Sequence, residues 1–300
     1  MSVDGMTAGV NAATWSSAQA TRRRFLRNLL IVRKTSGVSA VVLAILVFIA
    51  AAAPFVAPAS PSDQDLEHRY EPPSRERLMG TDNFGRDILS RIIWGARISL
   101  AVGVVVVAIA TAAGTLVGLT AGYVGGAVDR LLSFVVDMLM AFPLLLLAMA
   151  MLAIFGAGLF NVMLAIGIGS IPIFARVVRA ETRAIRDLDY VTAARSIGAT
   201  HMRIVFKYIL PNVTASIIVL GSTRVGTAIL TESSLSFLGL GIRPPTPSWG
   251  IMVAEGRAFL EQAPWMALIP GVVVMITLLS FNLFGDGLRD ALDVRLRGVR

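Results

Sequence analysis

The chain is 300 residues long, 55% hydrophobic and only 15% charged, with a mean hydropathy of +0.73, which excludes a soluble globular domain. With no cysteine and two histidines far apart, His68 and His201, it has no disulfide framework, no thiol chemistry and no basis for a Cys or His metal centre. A net charge of +8 and a pI near 10.9 would suit nucleic acid, but the basic residues flank apolar runs instead of forming one patch, the pattern of a membrane surface.

Residues 1–37 are polar, then basic. Thr21-Arg22-Arg23-Arg24-Phe25-Leu26-Arg27 has the form of a twin-arginine export signal, but Arg33 and Lys34 interrupt the apolar run such a signal needs, so the segment reads as a cytoplasmic anchor. Val38 to Ser62 carries no charge; residues 38–58 make a first transmembrane helix, with Pro54 and Pro58 marking its outer end. Residues 59–97 form an extracytoplasmic segment broken by Pro61, Pro72 and Pro73. Within it Phe84, Ile88 and Ile92 predict an interfacial helix ending near Trp94. Asp82, Asn83 and Asp87 have too little of a calcium loop's spacing to be ligands, so a structural role is expected.

Residues 98–290 hold five further spans. The second covers 98–128, where Gly114, Gly118 and Gly122 recur every four residues and leave a smooth face for close helix packing in lipid. The run from 131 to 175 is too long for one helix; Gly156, Gly158 and Asn161 divide it into spans of about 131–154 and 160–178. A polar, basic loop at 181–211 reads as helix, break, helix. Tyr190, Ala194, Ile197, His201, Ile204, Val205 and Tyr208 recur at the period of one helical face, Gly198 permits a turn or a close approach, and Pro211 suits the first turn of the next helix. That fifth span, 211–237, ends at Gly239, Gly241 and the Pro244–Pro247 stretch. Trp249 and Trp265 are expected as interface anchors, the sixth span covers 264–286, and 291–300 is a basic tail. Six spans put both termini on one side, and 18 of the 27 Lys and Arg residues fall on that side, which makes it cytoplasmic.

The chemistry of catalysis is missing. The only lysines, Lys34 and Lys207, lie in no phosphate-binding loop, and neither a zinc-protease motif nor a nucleophile elbow occurs. Three charges remain inside spans. Asp137, Arg224 and Glu232 would each be costly facing lipid, so each should face protein or water, as a gate, a path lining or a structural pair such as Asp137 with Arg224. A proton-coupled secondary transporter could use the same three residues, but it should carry an inverted repeat, and none is seen. A membrane enzyme ranks below both.

Within the basic loop, Ala193-Ala194, Gly198 and Leu210-Pro211 resemble the EAA loop of ABC-importer permease subunits, with Thr192 where Glu is usual and Tyr208 where Ile is usual. Further segments are similar to the C-type subunit of the dipeptide/oligopeptide permease family. They are Met79-Gly80-Thr81-Asp82-Asn83-Phe84-Gly85-Arg86-Asp87, Gly95-Ala96-Arg97-Ile98-Ser99-Leu100, Ser233-Ser234-Leu235-Ser236-Phe237-Leu238-Gly239-Leu240-Gly241, and Pro244-Pro245-Thr246-Pro247-Ser248-Trp249-Gly250. Together they cover residues 25 to 290. The resemblance implies an all-α integral membrane protein with the type I importer permease fold. It implies a heterodimer with a second permease subunit, two ATPase domains that hold ATP and Mg, separate or fused, and an extracytoplasmic peptide-binding protein, with no cofactor on this chain and no nucleic acid. The transported solute would be a di- or oligopeptide, with nickel or another small solute as the alternative. The residues it assigns to ATPase coupling are Ala193, Ala194, Arg195, Gly198, Ala199, Arg203, Phe206, Leu210 and Pro211.

Overall fold

A computed structural model describes residues 34–297, so the basic segment before Lys34, with its arginine motif, and the last three residues of the tail lie outside the described residues. Among the described residues the regular structure is helical, apart from one isolated bridge between Thr81 and Asp87. Helix α1 (Lys34–Ala51) and the short α2 (Ala53–Val56) replace the expected first span; Ala52 interrupts the pair just before Pro54, whose ring is tolerated only in a first turn.

Helix α3 (Ile88–Val124) is the first departure. The predicted interfacial helix and second span are one continuous helix of 37 residues, because nothing between Trp94 and Ile98 breaks it. Its start is set by Asp87, whose side chain accepts from the Ser90 N–H at 2.7 Å, the usual N-cap arrangement. Phe84 therefore lies in the preceding turn. Ile88 and Ile92 are buried in protein against Ile251, Met252 and Met266, away from the bilayer surface.

The predicted third span is bent. Helices α4 (Gly126–Met140) and α5 (Leu144–Phe155) meet at 88°. Pro143 is the cause: it has no N–H to donate and disfavours helical geometry at Phe142 before it. Helix α6 (Leu159–Arg186) runs eight residues past its expected end at 178 and carries Arg179, Arg183 and Arg186 on its last turns. The loop that follows holds α7 (Asp189–Ser196) and α8 (His201–Ile204). From α8 the chain continues through a π-turn at Val205–Ile209 into α9 (Leu210–Phe237). The widened turn sits where Pro211 cannot supply the next helical N–H, and it gives the ring room. Helix α10 (Trp249–Gly256) and α11 (Trp265–Arg297) complete the chain.

Among the described residues four helices are long and apolar enough to cross a membrane, five if α4 and α5 count as one span, and α1 is a shorter apolar helix. The principal contact is α3 on α6. Lipid offers no hydrophobic drive for helices to associate, so contact has to come from close fit. Gly114, Gly118 and Gly122 supply it: a Cβ added at Gly118 would lie 2.7 Å from the Ala175 carbonyl oxygen and 2.7 Å from Val178 Cβ, and one at Gly122 2.8 Å from the Arg179 carbonyl. The glycine stripe is the seam along which the two backbones touch. Around it, α9 packs on α3 through Val102, Val106, Ala228 and Leu235, and α1 and α11 close the other side.

Candidate functional site

The helix pair of the basic loop is held on the ends of α3, α6 and α9 by one apolar cluster. Val191 of α7 and Ile204 of α8 are buried with Leu119, Val178, Ile209 and Val213, and Ala194 of α7 is buried too. Tyr123 at the end of α3 meets His201, with the hydroxyl 2.7 Å from Nδ1 and the rings edge to face. Between the helices Gly198 ends α7 in the left-handed conformation, φ +84°. Its N–H donates to the Arg195 carbonyl and the Ala199 N–H to the Ala194 carbonyl, each at 3.0 Å, a Schellman cap that satisfies the last carbonyls of α7. Thr200 then caps α8, accepting from the Arg203 N–H at 3.3 Å.

This turn corrects the predicted stripe. Ala194 and Ile204 are buried as expected, but Ile197 is 86% exposed, and Tyr190 and His201 are exposed too. Ile197 is exposed because α7 ends at Ser196, one residue before it, and His201 because the chain changes direction at Gly198 and shares no helical axis with Ala194. Of the residues assigned to coupling, Ala193, Arg195, Gly198, Arg203, Phe206 and Pro211 lie on the exposed side, Ala199 and Leu210 are half-buried, and Ala194 supports from beneath. Ile197, Met202 and Phe206 together present a large open apolar surface, and a Cβ at Gly198 would meet nothing within 4 Å.

A second feature connects this surface to the spans. Arg176, Arg179, Arg183 and Arg186 recur along one face of α6. Arg179 and Arg183 both grip the buried Asp129 of α4, with guanidinium nitrogens at 2.9 and 2.8 Å. Arg176 pairs with Asp137 at 2.8 Å, and Arg186 donates to the carbonyls of Gly122 and Tyr123 at the end of α3, which have no partner within their own helix. Sequence reading counted these arginines as loop charges. Their spacing of three, four and three was the available signal for one helical face.

The suggested pair of Asp137 with Arg224 does not form, because Arg176 on the neighbouring helix is nearer and takes Asp137. Arg224 has neither hydrogen bond nor ion pair among the described residues. Glu232 is wholly buried; Ser236 and Ser248 donate to its Oε1 at 2.7 and 3.2 Å, which ties α9 to the first turn of α10. A proton path through these groups finds no continuity, since Asp137 is salt-bridged and Glu232 is sealed.

The loops at the other end of the helices are equally tied down. Asp82 accepts from the N–H groups of Phe84 and Arg86 at 2.8 and 3.0 Å, from Arg86 Nε at 2.6 Å and from Arg91; both arginines also reach Glu255 of α10. Asp82 is therefore the hub of a buried ion network, which is the structural role expected of it. Trp249 is no interface anchor. It is fully buried, its Nε1 donating to the Ile92 carbonyl at 3.0 Å and its backbone N–H to Ser99 Oγ at 3.1 Å. Trp265 is turned inward as well, with Nε1 donating to the Thr81 carbonyl at 3.2 Å.

Residues 114–298 match the family model described as "binding-protein-dependent transport system inner membrane component", and residues 16–73 match the N-terminal transmembrane domain of oligopeptide transport permease C. The chain belongs to the ABC-importer permeases of the dipeptide/oligopeptide family. It is 44% identical over 264 residues to the dipeptide transport system permease protein DppC of Alkalihalophilus pseudofirmus, covering 88% of this chain and 87% of that one. It is 45% identical over 261 residues to the glutathione transport system permease protein GsiD of Escherichia coli O157:H7, covering 87% and 86%. Among solved structures, a chain of the MetNI methionine ABC transporter shares the fold at a TM-score of 0.54 and 20% identity, over 68% of this chain and 97% of that one. The permease is thus a multi-pass subunit of the bacterial cytoplasmic membrane and no enzyme; its family works with an ATPase and further permease subunits.

Proposed function

We propose that this permease is one of two six-span subunits of an ATP-driven importer of di- or oligopeptides, with both termini in the cytoplasm. The observation that supports this most is the open apolar and basic face around Ile197, Gly198, Met202, Arg203 and Phe206, carried on helices locked to α3 and α6. An exposed face on a rigid mount is what a lever needs. On this reading the second permease subunit completes the path, two ATPase domains holding ATP and Mg dock beneath, and a peptide-loaded binding protein docks on the outer loops. ATP binding draws the ATPase domains together. α7 and α8 follow as a unit because Val191 and Ile204 are buried in one cluster with the ends of α3, α6 and α9. The peptide names borne by the DppC and GsiD relatives favour a peptide over nickel as the solute.

The test is Gly198→Trp in the complete importer. A side chain at φ +84° costs about 1–2 kcal/mol locally, and the indole projects outward into the docking surface, since nothing on this chain stands in its way. Insertion and assembly of the permease pair should persist while peptide uptake is lost and ATP hydrolysis no longer responds to loaded binding protein. Normal uptake in this variant would remove the coupling assignment.

A further inference from the structure

Arg224 stands near the middle of α9, with about 20 Å of helix on either side at 1.5 Å per residue. In a hydrocarbon core about 30 Å thick this is the costliest depth for a cation facing lipid. Among the described residues no carboxylate answers it. Asp137 is held by Arg176, and Glu232 is enclosed with Ser236 and Ser248. The small cleft beside Arg224 is mostly apolar; its other polar residues, Ser170, Thr227 and Thr231, have hydroxyls that donate to carbonyls of their own helices and bring no negative charge. Arg224 itself is only partly buried.

The neighbouring ion pair shows which medium this wall faces. Ile173 of α6 lines the same cleft as Arg224, and one turn further along Arg176 joins Asp137 with 55% and 65% of their side chains open. An open ion pair within a span is stable against water and not against hydrocarbon. The pair is open on this chain, so the face of α4 and α6 beside Arg224 meets water or the second permease subunit and not hydrocarbon.

We propose that Arg224 is this subunit's contact for a carboxylate of the solute in transit. Resting on the peptide-import reading, that carboxylate is the C-terminal one, which unblocked peptides carry whatever their side chains. A guanidinium presents parallel N–H donors that fit a carboxylate, and it keeps its charge at all physiological pH values. A single, partly hydrated contact also lets the solute leave, as a path requires. It would make the path selective for a free terminus and indifferent to sequence.

Because the chain has no cysteine, Thr227→Cys places a single thiol in the cleft one turn from Arg224 and leaves the guanidinium in place. In the importer reconstituted with its own partners, a water-soluble anionic thiosulfonate should modify that thiol, read by the mass of this chain, while the buried Ile229→Cys stays unreactive. Saturating tripeptide should slow the modification several-fold, and the same tripeptide as its C-terminal amide, at concentrations that also saturate the binding protein, should not. In parallel, Arg224→Gln should lower uptake of the free peptide roughly tenfold or more, the worth of a charged hydrogen bond, down to the rate of the amide. Arg224→Lys should keep most of the difference. An assembled importer whose thiol is never modified would mean that a carboxylate or side chain of the second permease subunit covers the position, and would overturn the proposal. So would modification that neither peptide slows, or an Arg224→Gln variant that lowers both uptakes equally, in an importer that carries peptides. If the unaltered importer carries no peptide at all, the peptide reading fails first, whatever the thiol does.

Discussion

Replacing Gly118 by alanine tests whether the α3–α6 seam is held by backbone contact. The added Cβ would lie 2.7 Å from both the Ala175 carbonyl oxygen and Val178 Cβ and 2.9 Å from the Arg179 nitrogen, whereas ordinary contact begins near 3.4 Å. Two of these three neighbours are backbone of α6, so no side-chain rotation relieves the clash and the helices must part by about 0.7 Å. A gap of about that size forfeits a quarter to a half of the dispersion attraction of the atoms lining it, and an overpacked site of this kind costs about 1–3 kcal/mol. The parting also falls beside Arg179 and Arg183, which must keep hold of Asp129 across the same interface. Gly271→Ala in α11 is the control. Nothing lies within 4 Å of its Cβ, so the substitution should be neutral or stabilise by up to about 1 kcal/mol through helix propensity. The measurement is the apparent melting temperature of the purified permease pair, with uptake per assembled importer alongside. Gly118→Ala should lower both, Gly118→Leu should prevent assembly, and Gly271→Ala should lower neither. Equal behaviour of the two alanine variants would refute the seam.

Asp129→Asn keeps the shape of the side chain but leaves two guanidiniums facing a neutral amide. Since Arg183 is about half exposed, the loss should be on the order of 1–2 kcal/mol, below the roughly 3–5 of a fully buried pair; hydrogen exchange in α4 should rise, and exchange unchanged from the native chain would show that Asp129 does not hold α4 to α6. Trp249→Phe should cost about 1 kcal/mol through the lost bond to the Ile92 carbonyl, and Trp249→Ala about 3–5 through the cavity. In a variant whose other tryptophans are phenylalanine, Trp249 fluorescence should be insensitive to brominated lipid at headgroup depth. Strong quenching would restore the interface-anchor reading.

Much of this protein was legible without coordinates, for a physical reason. In lipid every backbone polar group must be satisfied within its own segment, so long uncharged runs have to be helices, and their rough positions follow from hydropathy; the expected count of six spans does not, since α1 is short and the third run is a pair bent by 88°. The glycine repeat at 114, 118 and 122 was legible too, because only a missing side chain lets backbones meet there. The basic loop at 181–211 could be located from its charge and its glycine and proline, since a basic run between spans has to leave the membrane.

What depended on tertiary structure was direction and partnership. The bend at Pro143 could be suspected from the residue but not measured. Whether Trp249 anchors at the surface or is buried depends on Ile92 and Ser99, more than 140 residues away in sequence. Ile197 and Ala194 would share one helical face if the helix ran on, but α7 stops at Ser196 and leaves Ile197 outside it. Asp137 had several arginines within plausible reach, and only the register of α4 against α6 selected Arg176 over Arg224. Hydropathy and turn chemistry act within one segment and can be read there. Ion pairing and packing act between segments, and those are decided only once the helices have met.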